Sequence, residues 1–118
     1  MNEESGVFNL VKDYWQILKV YPETEPITMD NTDAFLMALL EFYSKYVDTP
    51  FEKLSYNWAL TYMRFRVDYN SEPITMDNAD KFVSKCAAVY SKYEGSKQFK
   101  KVSNIIHLYG DMKDKQKG

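Results

Sequence analysis

The chain has 118 residues, 45% hydrophobic and 27% charged, with a formal net charge of −2. That is one domain of ordinary globular make-up, which excludes a fibre, a disordered polar chain and a protein built wholly around a nucleic-acid backbone. One cysteine and one histidine stand against ten tyrosines, seven phenylalanines and two tryptophans, so a disulfide scaffold is excluded and little is left for nucleophilic or metal chemistry.

The opening residues, Met1 to Ser5, are acidic and lack the basic start and apolar run of a secretory leader. No stretch approaches the roughly 18 consecutive apolar residues that span a bilayer. The expectation is a soluble, cytoplasmic protein with no membrane contact. The apolar spacing then predicts five helices near residues 6–21, 30–47, 51–68, 77–93 and 97–112, with a polar tail, 113–118, that frays. In the first, Phe8, Val11, Trp15 and Leu18 share one helical face.

The second helix carries its start signal with it. Glu25-Pro26-Ile27-Thr28-Met29-Asp30-Asn31 recurs unchanged as Glu72 to Asn78, 47 residues later, and 13 of 22 aligned positions are identical through Tyr46 and Tyr93. The residue before proline is pushed away from helical angles. Thr28 or Asp30 then offers an oxygen to the first-turn N–H groups, and Asp33 adds charge the helix dipole favours. Phe35, Leu39, Phe42 and Tyr46 form one face, matched by Phe82, Cys86, Val89 and Tyr93 in the second copy. The intervening helices echo one another: Phe8, Val11, Trp15 and Ile17 align with Phe51, Leu54, Trp58 and Leu60 at an offset of 43, and Phe99, Val102, Ile106 and Leu108 follow 48 residues later.

Together these features predict an all-α protein: a single helical domain, 1–118, forming a compact five-helix bundle. It is built from an internally duplicated helical hairpin (8–47 and 51–93, period about 47) plus the final helix. A short solenoid of two-helix repeats is the alternative, but two and a half units leave it little concave surface. Tyr21-Pro22 ahead of a Thr- or Asp-capped helix resembles, in outline only and with no residue carried across, the small helical replication accessories of phages.

Candidate chemistry is sparse. Cys86 sits at the core position matched by Leu39, where a thiol acts as a small hydrophobe. His107 lies between Ile106 and Leu108 and has no second histidine to share a metal. The clusters Asp30-Asn31-Thr32-Asp33 and Asp77-Asn78-Ala79-Asp80 lack the glycine a calcium loop needs at its sixth position, and helix capping accounts for both. Tyr62-Met63-Arg64-Phe65-Arg66 is the one tight basic–aromatic interleave, suited to phosphates and stacked bases or to the C-terminal end of a helix. Residues 1–59 carry four Lys or Arg and ten Asp or Glu, whereas residues 60–118 carry eleven and seven. Tyr43, Tyr56, Tyr62, Tyr69 and Tyr90 fall off or beside the apolar stripes, and exposed tyrosine with arginine is a protein-binding composition.

The functional expectation is a protein without enzymatic activity, cofactor or metal that binds another macromolecule, foremost a protein, as adaptor, assembly factor or inhibitor. The partner-contacting candidates are Tyr62, Arg64, Arg66, Tyr69, Lys100 and Lys101. The alternative is a nucleic-acid-associated accessory protein, of a phage or mobile element, with Arg64, Arg66, Lys100 and Lys101 on phosphates. The opposed charges of the two halves also permit self-association.

Overall fold

The repeated segment folds into the same turn twice. Asn31 accepts a hydrogen bond from the Thr28 N–H through Oδ1 (2.7 Å) and donates from Nδ2 to the Pro26 carbonyl (3.2 Å). Asn78 does the same with the Thr75 N–H (2.7 Å) and the Pro73 carbonyl (3.0 Å). An asparagine side chain that closes on nearby main chain makes such a turn without a helix, so the helices begin two residues later than the spacing predicts. Neither Thr28 nor Asp30 caps one: Thr28 Oγ1 accepts the Asp30 N–H (3.2 Å), and Asp30 pairs instead with Lys81.

The computed structural model describes residues 3–116, with side chains from Gly6 onward. Its helices are α1 (Glu3–Val20), α2 (Thr32–Lys45), α3 (Glu52–Asp68), α4 (Ala79–Tyr93) and α5 (Phe99–Lys115). Among the described residues there is no strand, only an isolated parallel bridge between Ile27 and Ser71. The chain is an all-α bundle, as the sequence pattern implies. Helix α2 packs against all four others, α3 packs against α5, and α4 packs against α5, so that α2 and α4 form one layer on the rest. The shortest of the molecule's 49 × 34 × 20 Å dimensions matches two helices of ~10 Å each.

Helix α2 is the centre of the core. Phe35, Leu36, Leu39, Leu40, Phe42 and Tyr46 are all buried, and they meet Ala59 and Met63 of α3, Val89 of α4 and Val102, Ile105 and Tyr109 of α5 in one cluster. Helix α1 packs differently from expectation. Its buried residues are Leu10 and Ile17, while Phe8, Val11 and Trp15 face outward. The cause is that α1 carries two apolar stripes, and Gly6 selects between them. A Cβ there would run into the Phe51 ring just ahead of α3, so a larger residue at position 6 would have to displace that ring.

Two buried cations fasten the layers. Arg66 has no exposed surface, and its guanidinium donates to the main-chain carbonyls of Tyr21 and Glu25. Lys113 is 2% exposed, and its ammonium donates to the Glu72 carbonyl and to Ser71 Oγ (3.1 Å). Arg66 and Lys113 stand 47 residues apart, as do the Glu25 and Glu72 carbonyls they hold. The structural register between α3 and α5 is therefore 47 rather than 48: Ser55, Ala59, Tyr62 and Arg66 correspond to Val102, Ile106, Tyr109 and Lys113, all buried. The tail is also shorter than expected. Helix α5 continues through Lys115, and Gln116 Nε2 bonds the Ser71 carbonyl (3.0 Å) and Oγ (2.9 Å); residues 117–118 lie outside the described part.

Burial pulls the Lys113 ammonium down from 10.5 to about 8, against the pull of the Glu72 carboxylate. The unfolded chain keeps that proton to higher pH than the folded one, so this group's penalty is complete below pH 8 and is relieved as pH rises toward 10.5. In urea titrations, the stability of the wild type relative to Lys113→Met is expected to rise between pH 7.5 and about 10. Parallel pH profiles for the two proteins would show that the ammonium is not enclosed.

Candidate protein-binding face

The surplus of tyrosine serves mainly to tie helices together. Tyr46 donates to Asp13 (2.7 Å), Tyr43 to Glu52 (3.1 Å) and Tyr62 to the Tyr21 carbonyl, while Tyr109 pairs with Thr32 and Tyr90 with His107 Nε2 (3.0 Å). Each ring fills a seam between elements while its hydroxyl finds a partner at the edge. Of the ten tyrosines, only Tyr69 is exposed. The tyrosines expected off the apolar stripes are thus core or seam residues, Tyr69 excepted.

The proposed contact residues separate accordingly. Tyr62 is buried among Tyr14, Phe35 and Phe65, and Arg66 is enclosed on main-chain carbonyls, with its cation over the Tyr62 ring at 5.9 Å. Neither can reach a partner in the folded state. Their sequence signature is the same as for a surface site because a basic–aromatic interleave at a helix end does not reveal which way it turns. Arg64 is exposed. Tyr69 is 54% exposed and stacks flat on Phe65, ring centres 5.7 Å apart with a 7° tilt. Lys100 and Lys101 are exposed on α5, where Lys101 pairs with Glu52 (2.7 Å). Glu52 lies 12 residues from Arg64 on α3, roughly 18 Å along the helix, so the lysines and Arg64 do not form one site.

The structure also leaves large apolar side chains exposed on α1 and along α3. The two helices run in the same direction: Gly6 meets Phe51, the Tyr14 ring lies 5.1 Å from Trp58 and 6.3 Å from Tyr62, and the Tyr21 carbonyl meets Tyr62. On their outer side stand Phe8 (66% exposed), Val11 (50%) and Trp15 (56%) of α1, with Leu54, Phe65 and Tyr69 of α3. Scattered exposed apolar residues are ordinary, but six large ones on α1 and α3 and at the end of α3 are more than a bundle surface needs. The signal for it lay in the sequence. A helix at the edge of a bundle needs one apolar stripe, and α1 has a second, at positions 8, 11 and 15 beside 10, 14 and 17.

Basic side chains border this face. Lys12 and Lys19 follow Phe8 and Trp15 around α1, with Lys19 Nζ 4.6 Å from the Trp15 ring centre. Arg64 stands beside Phe65 on α3, whereas Lys53 lines the cleft toward α5, and Lys12, Lys53 and Arg64 make no ion pair among the described residues. The fourth base of this half, Lys45, faces away and binds Asp13 (2.7 Å). Burial pulls the Asp13 carboxyl up, but bonds from Lys45 and Tyr46 outweigh it and hold Asp13 below its usual value.

Burial pushes the Cys86 thiol up to about 11, away from the thiolate a nucleophile needs. His107 is bound to Tyr90. Asp30 and Asp33 are paired with Lys81 and Lys85 between α2 and α4. An open cleft of about 590 Å³ beside Tyr43, Tyr56 and Asn104 is bridged by the Glu52–Lys101 pair. Among the described residues no group of three or more His, Cys, Asp or Glu could hold a metal ion, and no helix is long and apolar enough to cross a membrane. Comparison with protein-family models, curated proteins and solved structures finds no match to this chain.

The two arginines of α3 are expected to respond in opposite ways. Arg66→Ala strands two main-chain carbonyls and opens a cavity, costing about 3 kcal/mol or more. Arg64→Ala, on the surface, stays within about 0.5 kcal/mol of wild type. Denaturant unfolding of both variants checks the assignment; equal, small losses would contradict it.

Proposed function

We propose that this protein is a non-catalytic helical binding module that holds another protein through the outer face of α1 and α3, as an adaptor, assembly factor or inhibitor does. The observation that carries this reading is the exposure of Phe8, Val11 and Trp15 together with Leu54, Phe65 and Tyr69. Burying Trp, Tyr and Phe in a partner supplies most of the energy of a typical protein interface, with arginine beside them. Arg64 and Tyr69 keep the role the sequence suggests for them, whereas Tyr62 and Arg66 act behind the face, as its support.

The nucleic-acid reading loses ground on specific residues. Of its four phosphate-binding candidates, Arg66 is buried and Lys101 is paired with Glu52, which leaves Arg64 and Lys100 on different helices. Two scattered bases do not make the continuous basic track that single strands or duplexes need.

The test is affinity capture from the native lysate with and without nuclease, comparing wild type with the double variant Phe8→Ser/Trp15→Ser. A protein partner that survives nuclease and is lost with the double variant is the expected result. Recovery that collapses with nuclease, or a partner held equally by both proteins, would contradict the proposal. Circular dichroism of the double variant should match wild type, because both side chains point to solvent.

A further inference from the structure

We propose that the outer side of α4 is a second docking surface, separate from the one on α1 and α3, and that it seats a basic amphipathic helix of a partner protein. The repeat carries the inference, because the first copy of this surface is already occupied within the molecule. On α2, positions 33, 36, 37, 40 and 44 form one stripe at helical spacing. Helix α4 lies along it: Lys85 reaches Asp33 (3.4 Å) at one end, and Tyr93 faces Ser44 at the other. Ahead of the stripe, Lys81 pairs with Asp30, and Lys85 also donates to the Asp30 carbonyl (3.2 Å). Met29, Leu36 and Leu40 are buried.

Shifted by 47 residues, that stripe becomes Asp80, Val83, Ser84, Ala87 and Ser91, preceded by Met76 and Asp77. All seven are exposed. The contrast is widest at the methionines, where Met29 is 4% exposed and Met76 is 98% exposed. Both copies reach this surface through the same asparagine-closed turn, so they differ in what covers them rather than in local backbone.

A terminal repeat that merely ends a stack turns a polar side outward. Here Met76, Asp77, Asp80 and Ser91 are identical to their counterparts, and Val83 and Ala87 stay apolar where Leu36 and Leu40 stand. Only Met37 gives way to a polar residue, Ser84. The recognition pattern is thus kept on a side of α4 that the described residues leave open. Asp77 and Asp80 make no ion pair among the described residues, whereas Asp30 and Asp33 are both paired. What answers the pattern in the first copy is a helix with two lysines four residues apart, each followed by an apolar side chain: Lys81-Phe82 and Lys85-Cys86. A helix of the same pattern complements the second copy in both charge and apolar contact. Within this chain that pattern belongs to α4, whose lysines are already held on α2, so the occupant is a partner protein and not a second copy.

The experiment is selection from a displayed library of helices 15 residues long, the length of α4, with the full chain as bait. Two positions four residues apart vary among Lys, Glu, Gln and Ser, and the positions after them among Leu, Phe, Val and Ala. Lysine at both polar positions, with apolar residues following, is the expected winner. A selected peptide should weaken at least about tenfold on Asp77→Lys/Asp80→Lys, and exchanging its lysines for glutamate should restore binding to that variant. Val83→Glu should weaken it as well, because a charge then faces the apolar contact. Phe8→Ser/Trp15→Ser should leave it unchanged, which separates this surface from the one on α1 and α3. The substituted residues of α4 are exposed, so circular dichroism of these variants should match wild type. Acidic or unpatterned winners, no winner at all, or binding that the α4 variants leave unchanged would overturn the proposal. So would a dimer in sedimentation that Val83→Glu abolishes, since the occupant would then be a second copy.

Discussion

The fold turns on two cations that make no ion pair with a carboxylate among the described residues. Arg66 and Lys113 are buried against main-chain carbonyls, those of Tyr21 and Glu25 in one case and of Glu72 in the other. Enclosing a charge is costly unless its donors are met, so each lock demands that the loop supplying the carbonyls be in place. The loops are the approaches to the two Glu-Pro-Ile-Thr-Met-Asp-Asn turns, and they also meet each other. The Ile27 N–H donates to the Asn70 carbonyl (3.0 Å), the Glu72 N–H to the Ile27 carbonyl (2.8 Å), and the Met29 N–H to the Glu72 carboxylate (2.9 Å). A single junction thereby fixes where α2 and α4 begin, and hence how the second layer sits on the first.

Much of this was legible in the sequence. The helices, their order and the buried face of α2 follow from periodicity, because α2 is surrounded and its stripe has only one way to turn. The repeat was legible too, but its meaning was not. Thr28 and Asp30 look like caps, whereas Asn31 and Asn78 close the turns. Arg66 and Lys113 look like helix-end solvated bases. Only the crossing of a loop beneath them makes them internal, and a long-range contact of that kind leaves no local trace.

The proposed binding face illustrates the converse. The Tyr62–Arg66 interleave divides between two orientations: Arg64 outward, Tyr62 and Arg66 inward. The larger part of the face comes from α1, whose stripe of Phe8, Val11 and Trp15 reads as core. Which of two stripes is buried depends on one close approach, Gly6 against Phe51, and on the Tyr14–Trp58 packing behind it. The tilted contact of Tyr14 with Trp58 joins α1 to α3 behind their exposed apolar side chains. The fold thus presents an aromatic surface on rigid elements, where side chains lose little further freedom on binding.

Native-state hydrogen exchange at the Ile27 and Glu72 amides tests the role of the locks most directly. In the wild type both amides, although they lie in loops, are expected to exchange as slowly as core amides of α2 such as Leu39. In Arg66→Met they are expected to speed up by an order of magnitude or more, while Ile105 in α5 stays protected. Fast exchange at Ile27 and Glu72 in the wild type, or exchange there that Arg66→Met leaves unchanged, would contradict the claim that a buried cation on main-chain carbonyls holds the junction.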